Sequence, residues 1–287
     1  MGKEKVLVIG ASGFLGKALM WELPKKFEVV GTYNNNPVQG MVRMDLNNYL
    51  ELKKALEKIF PEIVVLAAAE ANVDAYESSA FISRKQVSSA ETIVGWCKEN
   101  KKKIVFISTD FVFDGMKGNY SEDDKPKPIN AYGKNKLDIE KIAESAPNNL
   151  ILRVSTLYGI PVLPEKFIGK TIKKLSGNEF VEAAADWRRN PTLTSDVAVA
   201  LSLLLEKNQN GLFHVAGLSQ LSMYEMALAI AREFSADETL VKKGTGGRLV
   251  LPAKRPLNTT LDISKISGFG VKMSSFPDGI RFVHENM

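Results

Sequence analysis

Tyr132 and Lys136, in "AYGKNKLDIEK", stand four residues apart and so share one face of a helix. A phenol beside an ammonium suits one task well: giving a proton to a carbonyl oxygen while the carbon receives hydride. Free phenol is a poor acid, with a pKa near 10, and bringing it to about 7 takes roughly 4 kcal/mol. An ammonium ~4 Å away in an effective dielectric of ~20 supplies about that much. Lys136 is therefore expected to lower the Tyr132 pKa and to hydrogen-bond a nicotinamide ribose. "STDFVFDG" (108–115) completes the set. Ser108 and Thr109 end an apolar strand run, where ligands of a parallel sheet sit, and a hydroxyl there can hold the substrate carbonyl against the phenol. Read singly, the two hydroxyls could cap a loop and the Tyr–Lys spacing could be chance; their order and placement join them.

"GASGFLG" follows the strand run "KVLVIG" and opens a helix. A turn this tight needs residues without Cβ, its backbone amides can meet a pyrophosphate, and the helix N-terminus adds partial positive charge. Gly10, Ser12, Gly13, Phe14, Leu15 and Gly16 are the cofactor candidates, although a tight turn without a ligand would also use glycine. The region that should carry the ribose-binding residue, "GTYNNNP", is neutral. Asn34 stands there without a carboxylate to repel a 2′-phosphate or an arginine to clasp one, so NADPH is expected, with NADH accepted.

These groups need a scaffold, and the chain alternates accordingly. "KVLVIG", "FEVVGTY", "MVRMD", "EIVVLAAA", "KIVFIST", "LILRVS" and "GLFHVAG" read as strands, and helices separate the first six except between "FEVVGTY" and "MVRMD", one helix spanning about 76–99. The α/β fold expected is a Rossmann-like doubly wound parallel sheet with helices on both faces and a smaller C-terminal substrate lobe. Residues 1–154 plus about 191–217 form the NAD(P)-binding domain, and about 155–190 plus 218–287 the lobe. In the lobe, Ser222 and Glu225 form a capping box; Ser195 or Thr194 caps the helix over "TSDVAVALSLLLEK"; the last fifty residues read as irregular.

Composition excludes other classes. One cysteine, Cys97, rules out an internal disulfide, and with two histidines no metal site is expected. Cys97 and His214 read as structural. The net charge of +5 is spread, and Lys101–Lys103 reads as a solvated helix-to-strand turn, so no nucleic-acid partner is expected. The longest apolar stretch, "VAVALSLLL", is too short to span a bilayer and the N-terminus reads as a strand, so no membrane partner is expected and the location is cytoplasmic.

The three-glycine spacing, G-x-x-G-x-x-G, resembles that of extended short-chain dehydrogenases/reductases. Together "GASGFLG", "DL" at 45, "AAAEANVDAYE", "STDFVFDG", "AYGKNKLDIEK", "LRVSTLYG", "NPTLTSDVA", "GLFHVAG" and "KRPLNTTLD" resemble, in order and over nearly the whole length, the dTDP-4-dehydrorhamnose reductase (RmlD-like) family. The resemblance implies NAD(P)H-dependent reduction of the 4-keto group of a nucleotide-linked deoxysugar, with Thr109, Tyr132 and Lys136 catalytic. It implies that Asp45 and Leu46 face the adenine, that Ala67, Ala68 and Ala69 line the cofactor with Ser108, and that Ser155 lies near the nicotinamide. Val73, Asp110 and Phe111 become substrate contacts. Arg188, Arg189 and Arg255 become candidates for the substrate diphosphate, with surface ion pairs the competing reading. The nucleotide sugar is the expected partner, and a homodimer is compatible with a sequence that singles out no interface face.

The chain departs from that family's pattern at Phe14, Glu70, Ala71, Ser88 and Thr156. Glu70, Ala71 and Thr156 bear on the sugar pocket, which leaves a different keto sugar open. Two other readings stand beside the reductase. One is a nucleotide-sugar epimerase or dehydratase, since Asp110 puts an acid after the catalytic threonine. The other is a dinucleotide-binding regulatory subunit like that of methionine adenosyltransferase.

Overall fold

The computed structural model describes residues 2–246 and 251–287. The chain runs β1 (Lys5–Ile9), α1 (Phe14–Glu22), β2 (Glu28–Tyr33), β3 (Val42–Arg43), α2 (Tyr49–Ile59), β4 (Ile63–Leu66), α3 (Val73–Ser78), α4 (Ala80–Glu99), β5 (Lys103–Thr109), α5 (Ala131–Glu144) and β6 (Asn149–Val154). It continues β7 (Leu157–Tyr158), α6 (Phe167–Ser176), β8 (Val181–Ala184), β9 (Arg188–Arg189), β10 (Thr192–Leu193), α7 (Thr194–Glu206), β11 (Gly211–His214) and β12 (Leu221–Ser222), then α8 (Met223–Glu233), β13 (Val241–Gly244), α9 (Ser264–Gly268) and α10 (Phe276–Glu285).

Seven strands make one parallel sheet in the order β11-β6-β5-β4-β1-β2-β3. This is a Rossmann-like doubly wound sheet, whose order reverses between β1 and β4 and so opens a crevice there. All four residues of β4 and all seven of β5 are buried, as expected of strands covered on both faces. One face packs α1 and α7 residues such as Leu19 and Leu201. The other packs Leu52 of α2, Ile93 and Cys97 of α4 and Ile139 of α5. A separate core joins α6, α8 and α10 through Ile172, Met226, Ile230 and Phe276.

Local chemistry sets the helix ends. Asn48 accepts the Glu51 N–H to start α2, Asn130 accepts the Gly133 N–H at 2.7 Å to start α5, and Ser222 with Glu225 closes the expected capping box on α8. Other expectations give way. The helix read across 76–99 breaks at Ser79, which is extended (φ −148°), into α3 and α4. The N-cap of α7 is Leu193, without a side-chain cap, and neither Thr194 nor Ser195 fills the role. Lys103 belongs to β5 and is buried; its ammonium donates to Gln209 O and Asn210 Oδ1, both at 2.7 Å, so it is no solvated turn residue. The last fifty residues hold β13, α9 and α10, although residues 247–250 lie outside the described part. Ile266, Val271 and Met273, expected in the later lobe, pack against the sheet instead. No described helix is long and apolar enough to cross a membrane.

Two glycines separate packing need from tolerance. A Cβ on Gly16 would lie 2.7 Å from Ala11 Cα and closer still to Gly10 O, so Gly16→Ala must push the turn off its helix. A Cβ on Gly95, inside α4, would meet nothing within 4 Å. Gly16→Ala is expected to cost about 1–3 kcal/mol and Gly95→Ala to gain about 0.5–1 kcal/mol; urea unfolding midpoints moving in opposite directions would show it.

Candidate active site

A cleft of about 1210 Å³ opens at the carboxyl ends of β1, β4, β5 and β6 and runs from the glycine turn to α6 of the later lobe. At its head, Gly10 adopts φ +92°, and a Cβ there would lie 2.7 Å from Ala68 N. Gly13 caps α1 with no side-chain bond, and no acidic residue occupies the first turn of that helix. A helix N-terminus lacking any side-chain acceptor and facing a cleft fits an anionic group such as a pyrophosphate. Gly10, Ser12, Gly13, Phe14 and Leu15 line the cleft here; Ala67, Ala68 and Ala69 line it beside them.

Gly16 does not line the cleft and serves packing alone. Asn34 and Leu46 line it; Asp45 does not, because its Oδ1 accepts the Asn47 N–H and side-chain amide at 2.9 Å each and holds the turn before α2. The neutral end of β2 is as the sequence reads: Asn34 and Asn35 both face the cleft.

Deeper in, α5 presents Tyr132 and Lys136 to the cleft with Thr109 at the end of β5. Gly133 lets this happen: a Cβ there would lie 3.0 Å from Phe111 C and closer to its oxygen, so only glycine allows the first turn of α5 to sit on the chain leaving β5. Tyr132 packs edge-on against Tyr76 and Phe111, with centroids 5.2 and 5.9 Å apart.

The electrostatics differ from the sequence expectation. Burial pushes the Tyr132 phenol up to about 12, with the Thr109 hydroxyl pulling the other way, and Lys136 does not bring it toward neutrality. The Lys136 ammonium donates to Ile107 O at 3.1 Å and lies 4.8 Å over the Phe106 ring. Burial draws Lys136 down to about 8, opposed by the charge of Glu140. At neutral pH the phenol is thus protonated and the lysine charged.

Ser108 lines the cleft, yet its hydroxyl donates to Glu140 Oε1 and is committed there. Asp110 is the centre of a second buried knot. Its Oδ1 accepts the Thr109 hydroxyl at 3.2 Å; its Oδ2 accepts Ser155 at 3.1 Å and Thr259; and Arg189 Nε stands 3.7 Å away. Burial raises the Asp110 pKa against the pull of Arg189 and these hydroxyls. An acid so tied is poorly placed to act as a dehydratase proton donor.

The three arginines part company. Arg189 is buried, donates to the carbonyls of Arg188, Pro256 and Leu257, and stands behind Asp110, which lines the cleft although Arg189 itself does not. Arg188 pairs with Glu225 at 3.1 Å and with Gln220 O on a partly exposed surface, also outside the lining. Arg255 does line the cleft, with Val73 and Phe111, and is held by two bonds to Asp74 at 2.9 and 2.8 Å. Of the three diphosphate candidates, only Arg255 lines the cleft.

Glu140, Arg153 and Thr259 bond to the candidate site residues or to one another and were not singled out in the sequence. Glu140 had a signal, its i+4 spacing from Lys136 on α5. Thr259 reaches Asp110 across 149 residues, which no local pattern reports.

A reversed parallel sheet, a glycine turn at its crevice and a Tyr–Lys helix face define an extended short-chain dehydrogenase/reductase fold. The chain belongs to the RmlD family: its residues 4–287 match the RmlD substrate binding domain. It is 31% identical to methionine adenosyltransferase 2 subunit beta of Mus musculus, over 97% of this chain and 86% of that one. Among solved structures it resembles a hypothetical dTDP-4-dehydrorhamnose reductase from Sulfolobus tokodaii (34% identity, TM-score 0.86, 96% and 98% of the two chains). It also resembles the dTDP-4-dehydrorhamnose reductase of Bacillus anthracis in complex with NADP (26%, TM-score 0.89, 99% and 100%).

Removing Arg189 strands the Asp110 charge in the interior. Arg189→Met is expected to cost about 3–5 kcal/mol, and Arg188→Ala, on a screened surface pair, less than about 1 kcal/mol. Guanidinium unfolding of the two variants separates the roles; equal losses would contradict the assignment.

Proposed function

We propose that this chain is an NAD(P)H-dependent reductase of the 4-keto group of a nucleotide-linked deoxysugar, dTDP-4-dehydrorhamnose being the substrate that its relatives' names suggest. The observation that carries the reading is one cleft bringing Tyr132, Thr109 and Lys136 into line with an uncapped glycine turn. The names of the Sulfolobus and Bacillus neighbours support it, the latter with its NADP. NADPH is the preferred partner, since Asn34 and Asn35 bring no carboxylate against a 2′-phosphate, and NADH is accepted. A cytoplasmic location belongs to the same proposal.

A bound nicotinamide supplies the hydride. Tyr132 holds the proton: a phenol at about 12 stays protonated until the substrate oxygen turns into an alkoxide, a stronger base, and then gives its proton to that oxygen. Lys136, charged below about pH 8, stabilises the phenolate left behind and bonds the ribose. Thr109 directs its hydroxyl toward the carbonyl from the end of β5. Arg255, the diphosphate candidate that lines the cleft, would exchange its two Asp74 bonds for bidentate bonds to a phosphate.

A second reading has its own support. The likeness to a methionine adenosyltransferase subunit covers almost the whole chain, and Ser88 and Glu70 depart from the reductase pattern. On that reading the chain binds dinucleotide and acts as a subunit without turning over a sugar.

Nicotinamide absorbance followed with NADPH and a dTDP-4-keto-6-deoxy sugar decides between them. Turnover is expected; tight NADPH binding without turnover across a panel of nucleotide sugars would favour the subunit reading. Tyr132→Phe is expected to lower kcat about 10²–10⁴-fold while NADPH affinity is kept, and undiminished turnover would remove Tyr132 from its role.

A further inference from the structure

Beneath the Tyr132–Lys136 face lies a buried polar cluster with no part in the proton transfer. Arg153 of β6 donates Nε to Glu140 Oε1 at 2.9 Å and Nη2 to Oε2 at 2.7 Å. Both side chains are almost without solvent, at 3% and 1% exposure. Ser108 of β5 donates to the same Oε1, and Arg153 Nη1 lies 3.5 Å from His214 Nε2 on β11. The arginine also stacks over Phe113 at 5.1 Å. A buried pair of this kind is a poor way to gain stability, because apolar residues of the same volume fill such a space as well or better. Its placement suggests another use.

Glu140 follows Lys136 by one helical turn. The ammonium of Lys136 is anchored on Ile107 O, and Glu140 grips the next residue of that strand, Ser108. One carboxylate therefore touches the strand that holds the ammonium and lies on the helix that carries it. The other ionisable groups on the elements packed here are Tyr132 and Glu144 on α5, Lys85 on α4, Asp110 after β5, Arg153 on β6 and His214 on β11; the Glu144 carboxyl is raised by burial and by the charge of Glu140, with Arg153 pulling the other way. Asp110 is matched to Arg189 and His214 is neutral, with its pKa drawn down to about 3 by burial. Glu140 is the group whose charge favours the Lys136 ammonium.

We propose that Glu140 is a positioning residue of this site: through Ser108 it fixes the strand end that carries Thr109, and it supplies the counter-charge that keeps Lys136 an ammonium. The inference rests on the proposed dinucleotide binding, in which Lys136 meets the ribose. It also explains why Ser108 lines the cleft with its hydroxyl turned away from it.

The test is the NADPH dissociation constant as a function of pH, read by nicotinamide fluorescence, for the wild type, Glu140→Gln and the double variant E140M/R153M. Wild-type affinity is expected to fall as pH rises past about 8, where Lys136 sheds its proton. In E140Q the amide keeps the hydrogen-bonding shape but not the charge, and Arg153 is left uncompensated. The fall should move at least about one pH unit lower, an approximately tenfold loss of affinity at pH values between the two midpoints. The double variant, which refills the space with apolar groups, should show the same direction of shift. If either folded variant titrates as the wild type does, Glu140 is only structural and the proposal is overturned; it is equally overturned if neither variant folds. A wild type that binds neither NADPH nor NADH would remove the functional reading itself, whereas binding with an unshifted profile removes this inference alone.

Discussion

Asp110 holds a carboxylate almost out of solvent in the wall of the cleft, and much of the site follows from what that charge requires. A buried carboxylate is tolerated only when its oxygens are fully engaged. Here the partners come from four parts of the chain: Thr109 at the end of β5, Ser155 just after β6, Arg189 on β9 and Thr259 near the C-terminus. Satisfying one side chain thereby draws the later lobe against the carboxyl end of the sheet. Arg189 extends the tie, since it also holds the carbonyls of Pro256 and Leu257, next to the cleft-lining Arg255. The cleft between sheet and lobe owes its shape to this knot as much as to apolar packing.

The same low-dielectric setting governs Tyr132 and Lys136, the proposed reacting groups, and it acts against the simple picture of a lysine acidifying a tyrosine. Burial penalises the charged form of each. For Tyr132 that means an upward shift, for Lys136 a downward one, and the two shifts leave the phenol protonated and the lysine cationic near neutrality. A reductase needs its donor loaded before hydride arrives, so the raised phenol is no obstacle. The acidity is required only as negative charge develops on the substrate oxygen, when the nearby ammonium has most to stabilise.

The parts of this arrangement that could be read in the sequence are those written locally. The strand–turn–helix of β1 and α1, the buried apolar strands and the i,i+4 placement of Tyr132 and Lys136 each depend on a few adjacent residues. What escaped depends on distant partners. Lys103 reads as one of three exposed lysines until Gln209 and Asn210 supply its acceptors. Arg188 and Arg189 are neighbours of one chemical type, yet β12 pairing leaves the first near solvent and Asp110 draws the second inside. The break at Ser79 has neither glycine nor proline to announce it; Ser79 is simply extended, and α3 turns so that Asp74 can reach Ala253 N and Arg255.

The proposed reduction asks something specific of the proton of Thr109. Its hydroxyl donates to Asp110 and accepts the Phe111 N–H at 3.3 Å, and it has one proton to give. Holding a substrate carbonyl requires the hydroxyl to leave Asp110, at a cost of about 0.5–1.5 kcal/mol for one hydrogen bond. Asp110 would keep Ser155, Thr259 and Arg189 after that rotation, so it is not stranded, and the carbonyl returns a bond of similar strength. The rotation is therefore nearly neutral, and the Thr109–Asp110 hydrogen bond does not by itself stand in the way of the proposed reduction.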